Sequence, residues 1–207
     1  MLKLTLPNEI EIIQALGSGR RSDVYLAKYY DREVVAKVYK QEYIDKYQSQ
    51  YKVNIGEFEL MRNKAAYEAN ELTKYVAQPF ALFGPQQGYD LVFVQEYVDG
   101  IGLEELIEKA KGLPAEVLET GYNIVEQAAK IGLYDLDIPP GNIRLKKNAA
   151  GEWMPKLYDF NLMPQHMCPP NPFMALGFKL GLRSKNHRDY RSLKQWDYLS
   201  KQAQNKK

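Results

Sequence analysis

Cysteine and histidine are scarce in this sequence of 207 residues, which contains one Cys and two His. A single Cys excludes a disulfide framework and every zinc site that needs two or four thiolates. His166 and His187 lie apart from any cluster of Cys or carboxylates with ligand spacing, so a metal site built on imidazoles is not expected. No apolar run approaches the roughly 18 residues that a membrane-spanning helix requires.

A strong charge bias and a disorder-prone composition are also lacking. The sequence is 45% hydrophobic and 26% charged with a net charge of +2, close to globular averages. Its length suits one domain, or two small lobes that share a cleft. Residues 1–7 lack the basic stretch and apolar core of a secretory signal, and we therefore expect a cytoplasmic protein.

The balanced net charge hides a basic segment. Residues 179–207 hold nine Lys or Arg and two Asp, a net charge of +7. Such a segment can be a solvated helix face, or it can bind phosphate groups or an anionic membrane at the inner face. No recognition-helix pattern supports a specific nucleic-acid partner. Apolar residues alternate with these charges and predict an amphipathic, packed helix: Leu180, Leu182, Tyr190, Leu193, Trp196 and Leu199.

The residue pattern predicts an α+β fold in two lobes. Strands are expected to begin near residues 10, 24, 33, 80 and 91, as a five-stranded antiparallel sheet with one helix over 57–76. Residues 41–55 are either a loop or a solvated helix. After Asp99-Gly100 the chain is mainly helical, with one hairpin formed by 142–146 and 153–158. We therefore predict a first lobe over 1–98 and a second over 99–207.

Two charged residues in apolar patterns form the first candidate site. Lys37 lies within the third strand, where it either snorkels from a sheet edge or pairs with a buried anion. Glu68 lies in a stripe of helical spacing whose apolar members are Met61, Ala65, Leu72 and Val76. Because a buried charge is costly without a partner, the sequence predicts that Lys37 and Glu68 pair with each other.

Oxygen-bearing side chains form the second candidate site. Asp137 is followed five residues later by Asn142, and Asp159 comes 17 residues after Asn142, beyond the predicted hairpin. These three residues can meet at one end of a cleft. Carboxylate and amide oxygens are suitable ligands for Mg²⁺, which keeps several waters and takes few protein ligands.

Six segments in this order resemble the protein-kinase-like phosphotransferases over roughly residues 10–161. Gly17-Ser-Gly19-Arg-Arg-Ser22-Asp-Val24 is similar to the loop that covers the phosphates, and Val35-Ala36-Lys37 to the strand with the phosphate-binding lysine, with Glu68 as its helix partner. Residues 91–98 are similar to the hinge strand. Asp137 and Asn142 have the catalytic-loop spacing, and Asp159-Phe160-Asn161 corresponds to Asp-Phe-Gly.

The resemblance implies ATP as the nucleotide and Mg²⁺ as the metal. Lys37 would bind the α- and β-phosphates, Asp159 and Asn142 would hold Mg²⁺, and Asp137 would orient the acceptor hydroxyl and take its proton. The acceptor would be a protein Ser or Thr, including one of its own chain, or a glycolipid sugar. The further nucleotide-binding positions that the resemblance implies are Gly17, Ser18, Gly19, Ser22, Val24, Ala36, Glu68, Gln95 as gatekeeper, and the backbone of Glu96, Tyr97 and Val98.

The sequence also departs from the kinase pattern. Asp135-Leu136-Asp137 stands where His-Arg-Asp is usual, which leaves Asp135 as an alternative base, although the spacing to Asn142 favours Asp137. Only 46 residues follow Asn161, and no Ala-Pro-Glu is present. This short C-terminal part resembles that of the RIO-type and lipopolysaccharide-core sugar kinases. These departures motivate an alternative function, a pseudokinase that acts as a nucleotide-binding regulatory or scaffold module. The charged groups that phosphoryl transfer needs are all present, which favours an active enzyme.

Overall fold

The structure is a computed structural model that describes residues 4–160 and 162–205. Within these residues the fold is α+β, with a five-stranded antiparallel sheet, a second sheet of three strands and six α-helices. The predicted class and the five-stranded antiparallel sheet are confirmed. None of the described helices is both long and apolar enough to cross a membrane.

The chain divides into two compact units. The first comprises Met1–Ala65 and Ala77–Tyr97, and the second comprises Ala66–Val76 and Val98–Lys207. Residues 66–76, which the sequence placed in the first lobe, thus pack in the second unit. Lys156 Nζ donates to the carbonyl oxygen of Val76 over 3.1 Å, and an isolated bridge pairs Val76 with Leu157.

The sheet of the first unit has the strand order β1-β2-β3-β5-β4. Its strands are β1 (Ile10–Ser18), β2 (Ser22–Tyr29), β3 (Arg32–Tyr39), β4 (Pro79–Phe83) and β5 (Val92–Glu96). One face carries an apolar core because alternate residues of a strand point to the same side. The buried members of this core are Ile10, Ala27, Val34, Ala36, Val38, Val92 and Val94.

Two helices, α1 (Gln41–Tyr51) and α2 (Ile55–Glu68), connect β3 to the rest of the first sheet. Residues 41–51 are thus a helix, which decides between the two predicted alternatives. The predicted helix over 57–76 is too long, since α2 ends at Glu68. The Thr73 hydroxyl donates to the carbonyl oxygens of Tyr67 and Ala69, which satisfies backbone groups that a continued helix would have bonded.

The second unit has a sheet of the order β6-β7-β8. Its strands are β6 (Ile101–Gly102), β7 (Ile143–Lys147) and β8 (Trp153–Leu157), so the predicted hairpin is confirmed. Its helices are α3 (Leu103–Ala110), α4 (Ala115–Lys130), α5 (Pro172–Lys179) and α6 (His187–Asn205). The core of this unit lies among α3, α4, α6 and the hairpin.

Helix α6 carries most of the basic segment, and it packs inside the second unit. Trp196 is fully buried and its Nε1 donates to the carbonyl oxygen of Ile138 over 3.0 Å. A Cβ on Gly121 of α4 would lie 2.7 Å from Leu193 and 2.8 Å from Trp196, so the two helices approach closely at a glycine. The predicted packing is confirmed for α6.

The same prediction is wrong for the residues that precede α6. Leu180 and Leu182 are 59% and 81% exposed. They lie at and beyond the end of α5, a helix without a single buried residue. Lys206 and Lys207, the last residues of the basic segment, lie outside the described residues.

Candidate functional site

Lys37 on β3 forms a buried ion pair with a carboxylate of α2. Its Nζ lies 2.6 Å from Oε1 of Glu59, and the two residues are 5% and 2% exposed. The other oxygen, Oε2, accepts a hydrogen bond of 2.6 Å from the Tyr39 hydroxyl. Two donors therefore satisfy the two carboxylate oxygens, which is the arrangement that a buried charge requires.

The predicted pair of Lys37 with Glu68 is wrong. Glu68 is the last residue of α2 and is exposed, as are Met61 and Ala65 of the predicted stripe. The stripe exists but is displaced by two residues. Its buried members are Ile55, Glu59, Arg62, Asn63 and Ala66. Three of the five are polar, so apolar spacing alone indicates the wrong face of the helix.

A second polar contact joins α2 to the sheet. Gln95 on β5 is fully buried, and its Oε1 accepts from Asn63 Nδ2 over 3.3 Å. Phe93 lies directly opposite Lys37 in the sheet, so Gln95, two residues further along β5, shares the face that carries Lys37. Ala36 packs in the apolar core of the opposite face and does not line the face of Lys37.

The glycine-containing turn joins the ends of β1 and β2. Gly17, Ser18 and Gly19 are exposed, whereas Ser22 and Val24 are half-buried. The Gly19 N–H donates to the Ser22 carbonyl oxygen over 2.9 Å. Val24 lies opposite Lys37 in the register of β2 and β3. The turn meets β2 at Ser22, only two residues before Val24.

Lys40 fixes this turn, a role that the sequence did not suggest. Its Nζ donates to the Gly19 carbonyl oxygen over 2.8 Å and to the Ser18 hydroxyl oxygen over 3.1 Å. Its backbone N–H donates to the Arg21 carbonyl oxygen over 2.9 Å. The Ser18 hydroxyl in turn donates to Asp23 over 2.5 Å. The turn is therefore held at several atoms by the residue that follows β3.

The predicted hinge residues lie at the boundary between the units, which falls after Tyr97. The Glu96 N–H donates to the Gln78 carbonyl oxygen over 2.8 Å, and the Glu96 carboxylate accepts from the Gln78 N–H over 3.0 Å. Tyr97 is half-buried and Val98 is buried. Glu96 is thus fixed by reciprocal bonds to one residue of its own unit.

In the second unit, the loop with Asp135 and Asp137 has an unusual backbone. Both residues have positive φ angles, of 56° and 63°. For a residue other than glycine this conformation costs about 1 kcal/mol or more, so the surrounding structure must hold it. One such contact is a hydrogen bond of 3.0 Å from Asn142 Nδ2 to the Asp137 carbonyl oxygen.

Asp189 of α6 provides the other support for this loop. The N–H groups of Asp135 and Leu136 donate to its two carboxylate oxygens over 2.9 and 2.7 Å. Asp189 is 1% exposed, and burial raises the pKa of its carboxyl to about 7. The nearby Asp135 charge also raises this pKa, whereas the two backbone N–H groups and Arg188 lower it. Sequence reasoning counted Asp189 only as an acid within the basic segment.

The two aspartates of the loop have different surroundings. Asp135 is 1% exposed, and its Oδ2 accepts from the Gln165 N–H over 2.9 Å and from Arg188 over 3.1 Å. Arg188 also lies 3.1 Å from Oδ1. Asp135 is therefore committed to internal contacts, whereas Asp137 is half-buried. This difference favours Asp137 over Asp135 as a group that meets a substrate.

Asn142 and Asp159 lie at one end of the β7–β8 hairpin. Ile143 pairs with Leu157, so Asn142 immediately precedes the paired region on one strand and Tyr158-Asp159 immediately follow it on the other. The Tyr158 hydroxyl donates to the Gly141 carbonyl oxygen over 2.8 Å, which ties these two segments together. Asn161 lies outside the described residues, so its predicted turn is not described.

This end of the hairpin carries the two side chains predicted to hold Mg²⁺, those of Asn142 and Asp159. The Asn142 amide nitrogen is turned towards the loop backbone, which directs the Oδ1 oxygen away from that bond. Mg²⁺ is commonly held by one or two carboxylates together with waters and substrate phosphates. Within the described residues, no group of three or more His, Cys, Asp or Glu could hold a metal ion.

No family model matches the chain, and no curated protein matches it. The kinase resemblance therefore stays a prediction from the sequence motifs.

Proposed function

We propose that the chain is an ATP- and Mg²⁺-dependent phosphotransferase of protein-kinase-like fold, with a nucleotide-binding first lobe and a second lobe that carries the catalytic loop. The observation that carries the proposal is the buried pair of Lys37 and Glu59 on β3 and α2. A buried ion pair is a weak source of stability, and apolar residues often replace one without loss. In protein kinases, the strand lysine that binds the phosphates is held in place by a helix carboxylate.

In this proposal the first unit binds the nucleotide. Lys37 interacts with the α- and β-phosphates, and Glu59, whose second oxygen is satisfied by Tyr39, fixes the direction of the ammonium group. The exposed segment with Gly17, Ser18 and Gly19 would cover the phosphates, and Lys40 restricts its movement. Gln95 is the predicted gatekeeper, and its buried bond to Asn63 fixes its side chain.

The second unit supplies the metal ligands and the base. Asp159 and Asn142 would hold Mg²⁺, and the bound ion would neutralise charge on the phosphate oxygens. Asp137 accepts the proton of the acceptor hydroxyl while that oxygen forms a bond to the γ-phosphorus and the bond to the β–γ bridging oxygen breaks, with ADP as the leaving group. Asp189 keeps the loop in its strained conformation through two backbone bonds.

The acceptor is a hydroxyl group, on a protein Ser or Thr or on a glycolipid sugar. Both classes are compatible with a half-buried Asp137, since the chemistry at the oxygen is the same. A cytoplasmic location is part of the proposal, because ATP must be supplied. The alternative is a nucleotide-binding regulatory module, motivated by Asp135, whose carboxylate is used for internal contacts where kinases have a histidine.

A transfer assay tests the proposal. The full chain is incubated with γ-labelled ATP and Mg²⁺, and self-labelling, labelling of added protein or glycolipid and phosphate release are followed. We expect Lys37→Ala, Asp159→Ala and Asp137→Asn each to lower the rate at least about 100-fold. Glu68→Gln is the matched control and leaves the rate unchanged, since Glu68 is exposed at the end of α2.

Two results would contradict the proposal or redirect it. Transfer that survives both Lys37→Ala and Asp159→Ala means that the site is elsewhere. Thermal stabilisation by ATP and Mg²⁺ without any transfer identifies the regulatory module instead of an enzyme.

A further inference from the structure

Exposed apolar side chains are concentrated on one short stretch of the second unit. Five of the eleven large exposed hydrophobic residues in the described chain lie within 167–182. Phe173 and Leu182 are 86% and 81% exposed, and Leu176 and Leu180 are 52% and 59% exposed. Positions 173, 176 and 180 are spaced by three and four residues, so they share one side of α5 and its C-terminal cap.

Hydrogen bonds within residues 171–183 define the shape of this apolar surface. The side chain of Asn171 caps α5 by accepting from the Met174 N–H over 2.9 Å. After the helix, Gly181 takes a φ of 68°, and the Arg183 N–H donates back to the Gly177 carbonyl oxygen over 3.1 Å. The turn therefore returns onto the helix. A groove of about 440 Å³ results, lined by Asn171, Phe173, Met174, Gly177, Leu182 and Arg183.

The charge along this stretch of the chain has one sign. Between Asp159 and Asp189 the sequence contains no acidic residue, while it contains four cations: Lys179, Arg183, Lys185 and Arg188. Lys179, Arg183 and Lys185 are exposed. Lys185 Nζ lies 5.1 Å from the centre of the Tyr134 ring, and Arg183 contacts the His187 ring, so two of these cations are held beside the surface.

We propose that α5 and the turn after it, residues 172–185, form a docking surface for an anionic lipid membrane. Phe173, Leu176 and Leu182 would enter the boundary between headgroups and acyl chains, and the lysine and arginine side chains would contact the anionic headgroups. Exposed apolar and basic groups on one short helix and the turn after it match both layers of such a surface. The surface includes the start of the predicted basic segment, residues 179–185, whereas most of that segment lies in α6, which packs in the second unit.

A second copy of the chain is a poorer occupant of this surface. A symmetric dimer through α5 would bring the same cations of both copies together without any acidic residue of this stretch to offset them. The inference does not depend on the proposed function, because lipid binding needs neither nucleotide nor Asp159.

Vesicle sedimentation with the full chain tests the inference. Vesicles of phosphatidylcholine with a quarter phosphatidylglycerol are compared with vesicles of phosphatidylcholine alone. We expect binding to the anionic vesicles that weakens as salt is raised, and little binding to the neutral ones. The double variant Phe173→Ser/Leu182→Ser is expected to bind at least about tenfold more weakly. Both side chains are exposed, so these changes leave the fold intact.

A matched control replaces exposed apolar residues of the first unit. Met61→Ser/Tyr30→Ser changes side chains that are 57% and 66% exposed and should bind anionic vesicles like the unchanged chain. A Phe173→Trp variant adds a direct readout, since insertion shifts its fluorescence to shorter wavelength.

Three results would overturn the inference. One is the absence of binding to anionic vesicles at low salt, and another is equal binding by the Phe173→Ser/Leu182→Ser variant. The third is a dimer in solution that this variant dissociates while no vesicle binding occurs, which would assign the surface to contacts between copies.

Discussion

Replacement of Glu59 by glutamine tests most sharply whether Glu59, and not Glu68 as the sequence predicts, is the partner of Lys37. The change keeps the shape of the side chain and removes the charge that the Lys37 ammonium faces over 2.6 Å. Both residues are almost inaccessible to water, at 5% and 2% exposure. Loss of one partner of a buried pair of this kind costs about 3–5 kcal/mol. Glutamine keeps one acceptor oxygen, so we expect the lower end of this range, about 3 kcal/mol.

The matched control is Glu68→Gln. Glu68 is exposed at the end of the same helix, so the same chemical change there should alter the free energy of unfolding by less than about 0.5 kcal/mol. Urea unfolding followed by far-ultraviolet circular dichroism measures both variants. A loss of about 3 kcal/mol lowers the urea midpoint by more than about 1 M, at the slope usual for small proteins.

A double variant tests whether the loss of stability arises from a buried charge without a partner. Lys37→Met/Glu59→Leu removes both charges and should recover at least half of the stability lost in Glu59→Gln, since no uncompensated charge stays buried. Equal midpoints for Glu59→Gln and Glu68→Gln would refute the assignment of Glu59 as the partner of Lys37.

Three further predictions follow from the second unit. Burial raises the pKa of Asp189 from 3.8 to about 7 in the folded chain. Between about pH 4 and pH 7, Asp189 is therefore protonated in the folded chain and ionised in the unfolded chain. Urea midpoints should therefore fall as pH rises from about 4 to about 7, and Asp189→Asn should remove this component of the pH dependence. Asp135→Asn should lower the midpoint, because Asp135 is buried against Arg188, whereas Asp137→Asn should lower phosphate transfer with little change in the midpoint. Gly121→Ala should lower the melting temperature, because the added Cβ would clash with Leu193 and Trp196 and reduce the free energy of unfolding by about 1–3 kcal/mol. Gly102→Ala, whose Cβ would have open space around it, serves as the control.

Local patterns account for the parts of the fold that could be predicted. Alternation of apolar residues located the strands of the first sheet, and the segment 148–151 between two β-rich stretches located the β7–β8 hairpin. The end of α2 was missed because it depends on the hydroxyl of Thr73, which bonds the carbonyl oxygens of Tyr67 and Ala69. Helical spacing alone carries no information on such a side-chain bond.

The candidate site could be predicted only in part for a similar reason. Lys37, Asp137, Asn142 and Asp159 stand out by residue type and spacing. Glu59 does not, because its helix face is polar and the apolar stripe that the sequence suggested lies two residues away. Asp189 supports Asp135 across 54 positions of the chain, a distance at which spacing gives no signal.

The central claim is that Lys37, held by Glu59, and Asp159 form a site for ATP and Mg²⁺. Calorimetric titration of the full chain with ATP, with and without Mg²⁺, tests this claim most directly. We predict binding that depends on Mg²⁺, is abolished by Asp159→Asn and is weakened at least about tenfold by Glu59→Gln, but is unchanged in Glu68→Gln. Absence of ATP binding, or binding that is equally tight without Mg²⁺ and in Asp159→Asn, would contradict the claim.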